Sequence, residues 1–93
     1  MSRAQRIDEL LTTWRVKVAR IAPKPAADMI DLLAENPFCT ATGIAKRLGI
    51  AFTTAQRAID RLESAGVVIR VSAAKRNRAY CAQALLDILE EPA

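Results

Sequence analysis

The sequence predicts a mainly helical domain that closes with a small β-hairpin. Three observations predict it: apolar residues recur at helical spacing along most of the chain, two such patterns meet at a glycine, and a β-branched run follows them. In the stretch Thr40–Gly66, TATGIAKRLGIAFTTAQRAIDRLESAG, Ile44, Ala45 and Leu48 share one face of a 3.6-residue repeat, and Ala55, Ala58, Ile59 and Leu62 share one face of another. Two apolar faces in succession need a common core. Gly49 stands between them, where a residue without Cβ can enter the left-handed region, end the first helix and turn the chain, with Ile50 filling the corner. This is a helix-turn-helix pattern. The outer side of its second helix carries Thr53, Thr54, Gln56, Arg57, Asp60 and Arg61, groups able to meet base edges or phosphates. The plainer alternative is a helical hairpin whose polar residues are only a solvated face.

Taken in order, residues 3–21 form the first helical pattern, with Ile7, Leu11, Trp14, Val18 and Ile21 spaced 4, 3, 4 and 3 apart. This heptad-like seam is expected to pack against the same domain or against sequence upstream of it, or, as a homodimer, against a second copy. Pro23 and Pro25 interrupt helix propagation and predict a hinge, which divides the chain into an N-terminal packing helix at 1–22 and a domain at 23–93. Ala26–Glu35 is the next helix, ended by the Pro at position 37 because Asn36 is pushed out of the α region. Phe38 and Cys39 are expected to bury in the connection, and Thr40 to cap the helix that runs to Leu48.

Gly66 ends the second helix of the pair, and the run VVIRV that follows predicts a strand with Val67, Ile69 and Val71 on one side and Val68 and Arg70 on the other. A polar loop over 72–77 leads to a second strand over Ala79–Ala82, so the hairpin carries Lys75, Arg76 and Arg78 at or beside its tip. Leu85, Leu86, Ile88 and Leu89 then predict a short closing helix, ended by Pro92. A three-helix core followed by a two-stranded basic hairpin is the winged helix-turn-helix order, here with an added helix at each end.

Charge distribution supports a polyanionic partner. Between Thr40 and Tyr80 eight basic residues oppose only Asp60 and Glu63, a net +6, so that with a total of +4 the remainder sums to −2. Lysine and arginine kept only for solubility would not require this segregation. Ninety-three residues suffice for one small core. The absence of histidine removes the commonest general base and metal ligand, and no Ser or Cys has an activating partner in sequence, so neither catalysis, a metal nor a cofactor is expected. Cys39 and Cys81 lack metal or redox spacing and are expected to be buried free thiols. No apolar run is long enough to span a membrane and no leader pattern is present, so a cytoplasmic protein is expected.

The segments TAQRAIDRLESAG and KRNRAYCAQALLDILE resemble the C-terminal winged-helix domain of bacterial Fic-family proteins. The resemblance covers residues 26–91 and is carried by Arg57-Ala58-Ile59, by Lys75-Arg76-Asn77-Arg78 and by Leu86-Asp87-Ile88-Leu89-Glu90; Arg6–Leu11 is also similar to the segment that joins that domain to its catalytic core. Family members transfer AMP or related groups through a histidine-centred motif and a Gly-rich loop, both absent here, so the resemblance implies a winged-helix module without that activity. Two departures stand out: Ala51 occupies the place of a capping Ser, unless Thr53 caps instead, and Ala73-Ala74 that of a glycine in the hairpin loop.

Together these readings predict binding of double-stranded DNA, in transcriptional regulation or in targeting a Fic-family protein. The helix over 52–65 would enter the major groove, with Gln56 and Arg57 reading bases. Thr53 and Thr54 would hold a phosphate at its N-terminus, and Arg61, Lys75, Arg76 and Arg78 would add contacts. Asp60 is open between reading cytosine, pairing with Arg57 or Arg61, and repelling phosphate. The alternative is a protein-interaction or dimerisation module, docking on a Fic core, on another target, or on a second copy through Ile7, Leu11, Trp14, Val18 and Ile21.

Overall fold

The computed structural model describes residues 2–21, 24–72 and 78–91. In chain order these form α1 (Arg3–Ile21), α2 (Lys24–Glu35), β1 (Phe38–Thr40), α3 (Ala41–Leu48), α4 (Phe52–Ser64), β2 (Ile69–Arg70), β3 (Ala79–Cys81) and α5 (Gln83–Leu89). The strands make one antiparallel sheet in the order β1-β3-β2. Helices α2, α3 and α4 pack on one another, the sheet closes one side of them, and α1 lies across α2 and α5. The fold is a winged helix-turn-helix.

One hydrophobic cluster holds the fold together. Leu11, Trp14 and Val18 of α1 meet Met29, Ile30 and Leu33 of α2, Ile44 of α3, the buried residues of α4, and Tyr80 and Leu85 from the C-terminal part. The α1 seam is therefore taken up inside the chain: Leu11, Trp14 and Val18 are buried, and Ile7 is partly buried against the same cluster. A dimer through these side chains would have to pull them out of the core, so the intramolecular option of the sequence reading describes them; the Ile21 side chain lies outside the described residues. Polar contacts pin α1 at three further points. Arg6 pairs with Glu91 beyond α5, Arg15 with Asp31 of α2 at 2.8 Å, and Lys17 Nζ donates to the Ala65 carbonyl at 2.9 Å. The last satisfies an orphan acceptor at the C-terminal end of α4 and sets a cation against the negative end of its dipole.

Three expectations need correction. Pro25 is not a hinge, because α2 begins at Lys24 and a proline in the first turn removes an N–H that has no helical partner anyway; Pro23 lies outside the described residues. Phe38 and Cys39 do not bury together in a loop. They open β1, which pairs with β3 in the register Phe38↔Cys81, Cys39↔Tyr80 and Thr40↔Ala79. Alternation along the strand sends Cys39 to the core with Tyr80 and leaves Phe38 on the outer face, 49% exposed.

The strand expected over 67–71 is shorter, because its first residue belongs to the end of α4. Gly66 has φ 80°, its N–H donates to Glu63 O at 3.0 Å, and the Val67 N–H reaches back to Leu62 O at 2.9 Å. This is the Schellman pair of bonds, with the accompanying apolar contact between Val67 and Leu62 in the core. Val67 and Val68 are thus both buried, and β2 itself spans only Ile69–Arg70, with Ile69 and Val71 exposed.

Candidate nucleic-acid interface

The geometry that presents α4 is built from local chemistry. Thr40, extended at φ −130° and ψ 156°, accepts from the Gly43 N–H at 3.0 Å and so caps α3. Nine residues later Gly49 takes the left-handed conformation at φ 65°, and its N–H and that of Ile50 both turn back to the Ala45 carbonyl. Helix α4 then starts without help: Ala51 sits at its N-cap with no side-chain hydrogen bond. Thr53, the second residue of the helix, does not replace the missing cap.

Along α4, Ala55, Ala58, Ile59 and Leu62 are at most 3% exposed, while Thr53, Thr54, Arg57, Asp60 and Arg61 are exposed and Gln56 is half-buried on the flank facing the sheet. The burial along this helix follows the sequence reading except at Gln56, which is expected on the outside but is half-buried. Its first turn leaves backbone N–H groups unpaired in the helical ladder next to Thr53 and Thr54, and the helix dipole adds partial positive charge there.

Gln56 and Asp60 form a unit that the sequence reading left open. Gln56 Nε2 donates to Asp60 Oδ1 at 2.9 Å and to the Tyr80 hydroxyl at 3.2 Å. Of the three roles weighed for Asp60, pairing along the helix is the one observed, but with Gln56 as the partner. The spacing i, i+4 could have revealed it, since amide–carboxylate pairs at that distance face each other on a helix. Tyr80 carried no such signal: it lies 24 residues away, and its ring is buried in β3 with only the hydroxyl reaching the α4 flank.

The basic residues divide. Lys75 and Arg76 lie outside the described residues. Arg78 is half-buried immediately before β3, and Arg70 of β2 is exposed opposite Tyr80, on the sheet face nearest Gln56. Sequence reasoning counted Arg70 as charge without giving it a place at the site. Arg47 is engaged with Glu35 at 2.9 Å in an exposed ion pair, while Lys46 beside it is exposed. Cys39 is only half-buried, Cys81 fully; burial pushes the Cys39 thiol up to about 11, with Cys81 close by adding to the shift. Burial likewise raises Cys81, helped by the carboxylates of Glu90 and Asp87.

Residues 28–69 match the family described as winged helix-turn-helix DNA-binding. The match runs from the first half of α2 through β1, α3 and α4 to the start of β2, and so contains the whole of α4 and the turn before it. It leaves α1, β3 and α5 outside, and it brings in no part of the AMP-transferring Fic family. No curated protein matches the chain.

Proposed function

We propose that this chain binds double-stranded DNA sequence-selectively, with α4 in the major groove and the basic hairpin on the backbone beside it. One observation carries the reading: α4 is divided into a fully buried apolar side and an exposed side of hydrogen-bonding and cationic groups, within a segment that matches DNA-binding winged helices. Arg57, at the centre of the exposed side, suits guanine, whose O6 and N7 both accept. Thr53 and Thr54 at the N-terminal turn suit a phosphate, and Arg61, Arg78 and Arg70 suit the flanking backbone, joined by Lys75 and Arg76 from the sequence between β2 and β3. Control of transcription is the role proposed for such a reader. The test is anisotropy binding to a random duplex pool at about 50 and 200 mM salt, with selection of the bound fraction. Arg57→Ala should weaken the selected site by about 1–3 kcal/mol while sparing random duplex, whereas Arg78→Ala should weaken all sequences and lower the salt slope by about 1. Equal loss across all sequences for Arg57→Ala would overturn base reading there.

A second reading, docking on another protein such as a Fic core, is favoured by the outer face of the sheet. Phe38 and Ile69 lie exposed there on either side of Cys81, in register across the three strands. Absence of duplex binding even at the lower salt would put this reading first.

A further inference from the structure

The carboxamide of Gln56 has a determined orientation. Its neighbour Asp60 is a carboxylate, which can only accept, so the atom at 2.9 Å from Oδ1 must be the amino nitrogen. That nitrogen has two hydrogens. The second is directed to the Tyr80 hydroxyl at 3.2 Å, and the Tyr80 ring is wholly buried, so the hydroxyl is a fixed point rather than a mobile surface group. Both donors of Gln56 are therefore spent inside the protein. What the side chain retains for a base edge is its carbonyl oxygen alone.

We propose that Tyr80 and Asp60 convert Gln56 into an acceptor-only reader, and that the base it selects is cytosine. This rests on the DNA-binding reading above. Glutamine ordinarily pairs with adenine by accepting from N6 and donating to N7 together. With its N–H groups occupied, Gln56 loses the donation to N7, and the Asp60 carboxylate beside it sets negative charge against that nitrogen. Guanine and thymine offer only acceptors at the corresponding major-groove positions and are repelled. Cytosine presents its N4 amino group without a neighbouring acceptor, and both Gln56 Oε1 and the Asp60 carboxylate can receive it. Tyr80 is a positioning residue: it never touches DNA, yet it decides which half of the Gln56 amide does.

The test is selection from a random duplex pool by the unaltered protein, by Tyr80→Phe and by Asp60→Ala, with thermal melting and affinity for unselected duplex measured alongside. The unaltered protein should enrich cytosine at one position. Tyr80→Phe keeps the buried ring, frees one Gln56 N–H and should shift that position towards adenine, changing the cytosine-to-adenine ratio roughly 5- to 100-fold with unselected binding unchanged. Asp60→Ala acts at an exposed side chain, so it keeps the test open if Tyr80→Phe fails to fold, and should shift the same position in the same direction. A motif that neither substitution alters, or one that carries adenine at that position from the start, would overturn the assignment while leaving DNA reading intact. Duplex binding without any motif would remove base reading by Gln56 altogether. Failure of the unaltered protein to bind duplex at low salt would remove the DNA-binding reading itself.

Discussion

Trp14→Ala separates the two possible uses of the α1 seam. In the structure Trp14 is 4% exposed and packed in one cluster with Leu11 and Val18 beside it and with Met29, Ile30 and Leu33 of α2. Truncating a buried tryptophan to alanine removes about 3–5 kcal/mol, the lost transfer energy plus the cavity left behind. A domain of 93 residues has a total of about 5–14 kcal/mol to lose. The substitution should therefore consume at least about a fifth of the stability and lower the urea midpoint by at least about 1 M. Mass in solution, measured by light scattering in the absence of denaturant, should be the same for both proteins. Val16 is 58% exposed on the opposite side of α1, so Val16→Ala is the control and should stay within about 0.5 kcal/mol of the parent. A Trp14→Ala protein that loses less than about 1 kcal/mol but falls to half the mass would refute the reasoning, because the seam would then be an interface between copies.

The helix caps give a pair of opposite predictions. Thr40→Ala removes an observed N-cap bond and should destabilise by about 1 kcal/mol, whereas Ala51→Ser supplies a cap that α4 lacks and should stabilise by a similar amount; both are read from denaturant midpoints at constant slope. Gly49→Ala meets no atom within 4 Å, so its cost is the left-handed backbone at φ 65° alone, about 1–2 kcal/mol, and a neutral result would show that the turn relaxes. Cys39 adds a pH dependence. Its folded value near 11 lies above the ordinary 9.0, so between these two values the unfolded chain has lost a proton that the folded one keeps. Stability should therefore fall as pH rises from about 9 towards 11, and Cys39→Ser should flatten that part of the curve.

What could be read from the sequence follows the range over which each feature is determined. The apolar face of α4, the Thr40 cap and the glycine stops at 49 and 66 are set by residues within a few positions, and the structure has each where the sequence puts it. The features that were missed are settled by distant partners. Strand β1 is only three residues long, too short to announce itself by alternation, and exists because β3, some forty residues later, offers its edge. The exposure of Phe38 follows from that register and from nothing nearby. An apolar stripe such as that of α1 says that it must be covered, and only the packing says by what.

The candidate site shows the same division, with a consequence for function. Which side of α4 faces solvent is fixed by periodicity, so Thr53, Thr54, Arg57 and Arg61 could be named from the chain alone. Taken by itself, Gln56 has the chemistry of an adenine reader. That expectation treats the side chain as an isolated amide, whereas here the hydroxyl of Tyr80, brought across from β3, takes one of its two hydrogens and Asp60 takes the other. The exposed surface is thus legible from the helix, but the donor and acceptor pattern it presents depends on how the hairpin docks against it. A variant that removes the Tyr80 hydroxyl without moving β3 should accordingly change which sequences are bound more than how tightly duplex is held, since the proposed phosphate contacts come from side chains that this hydroxyl does not hold.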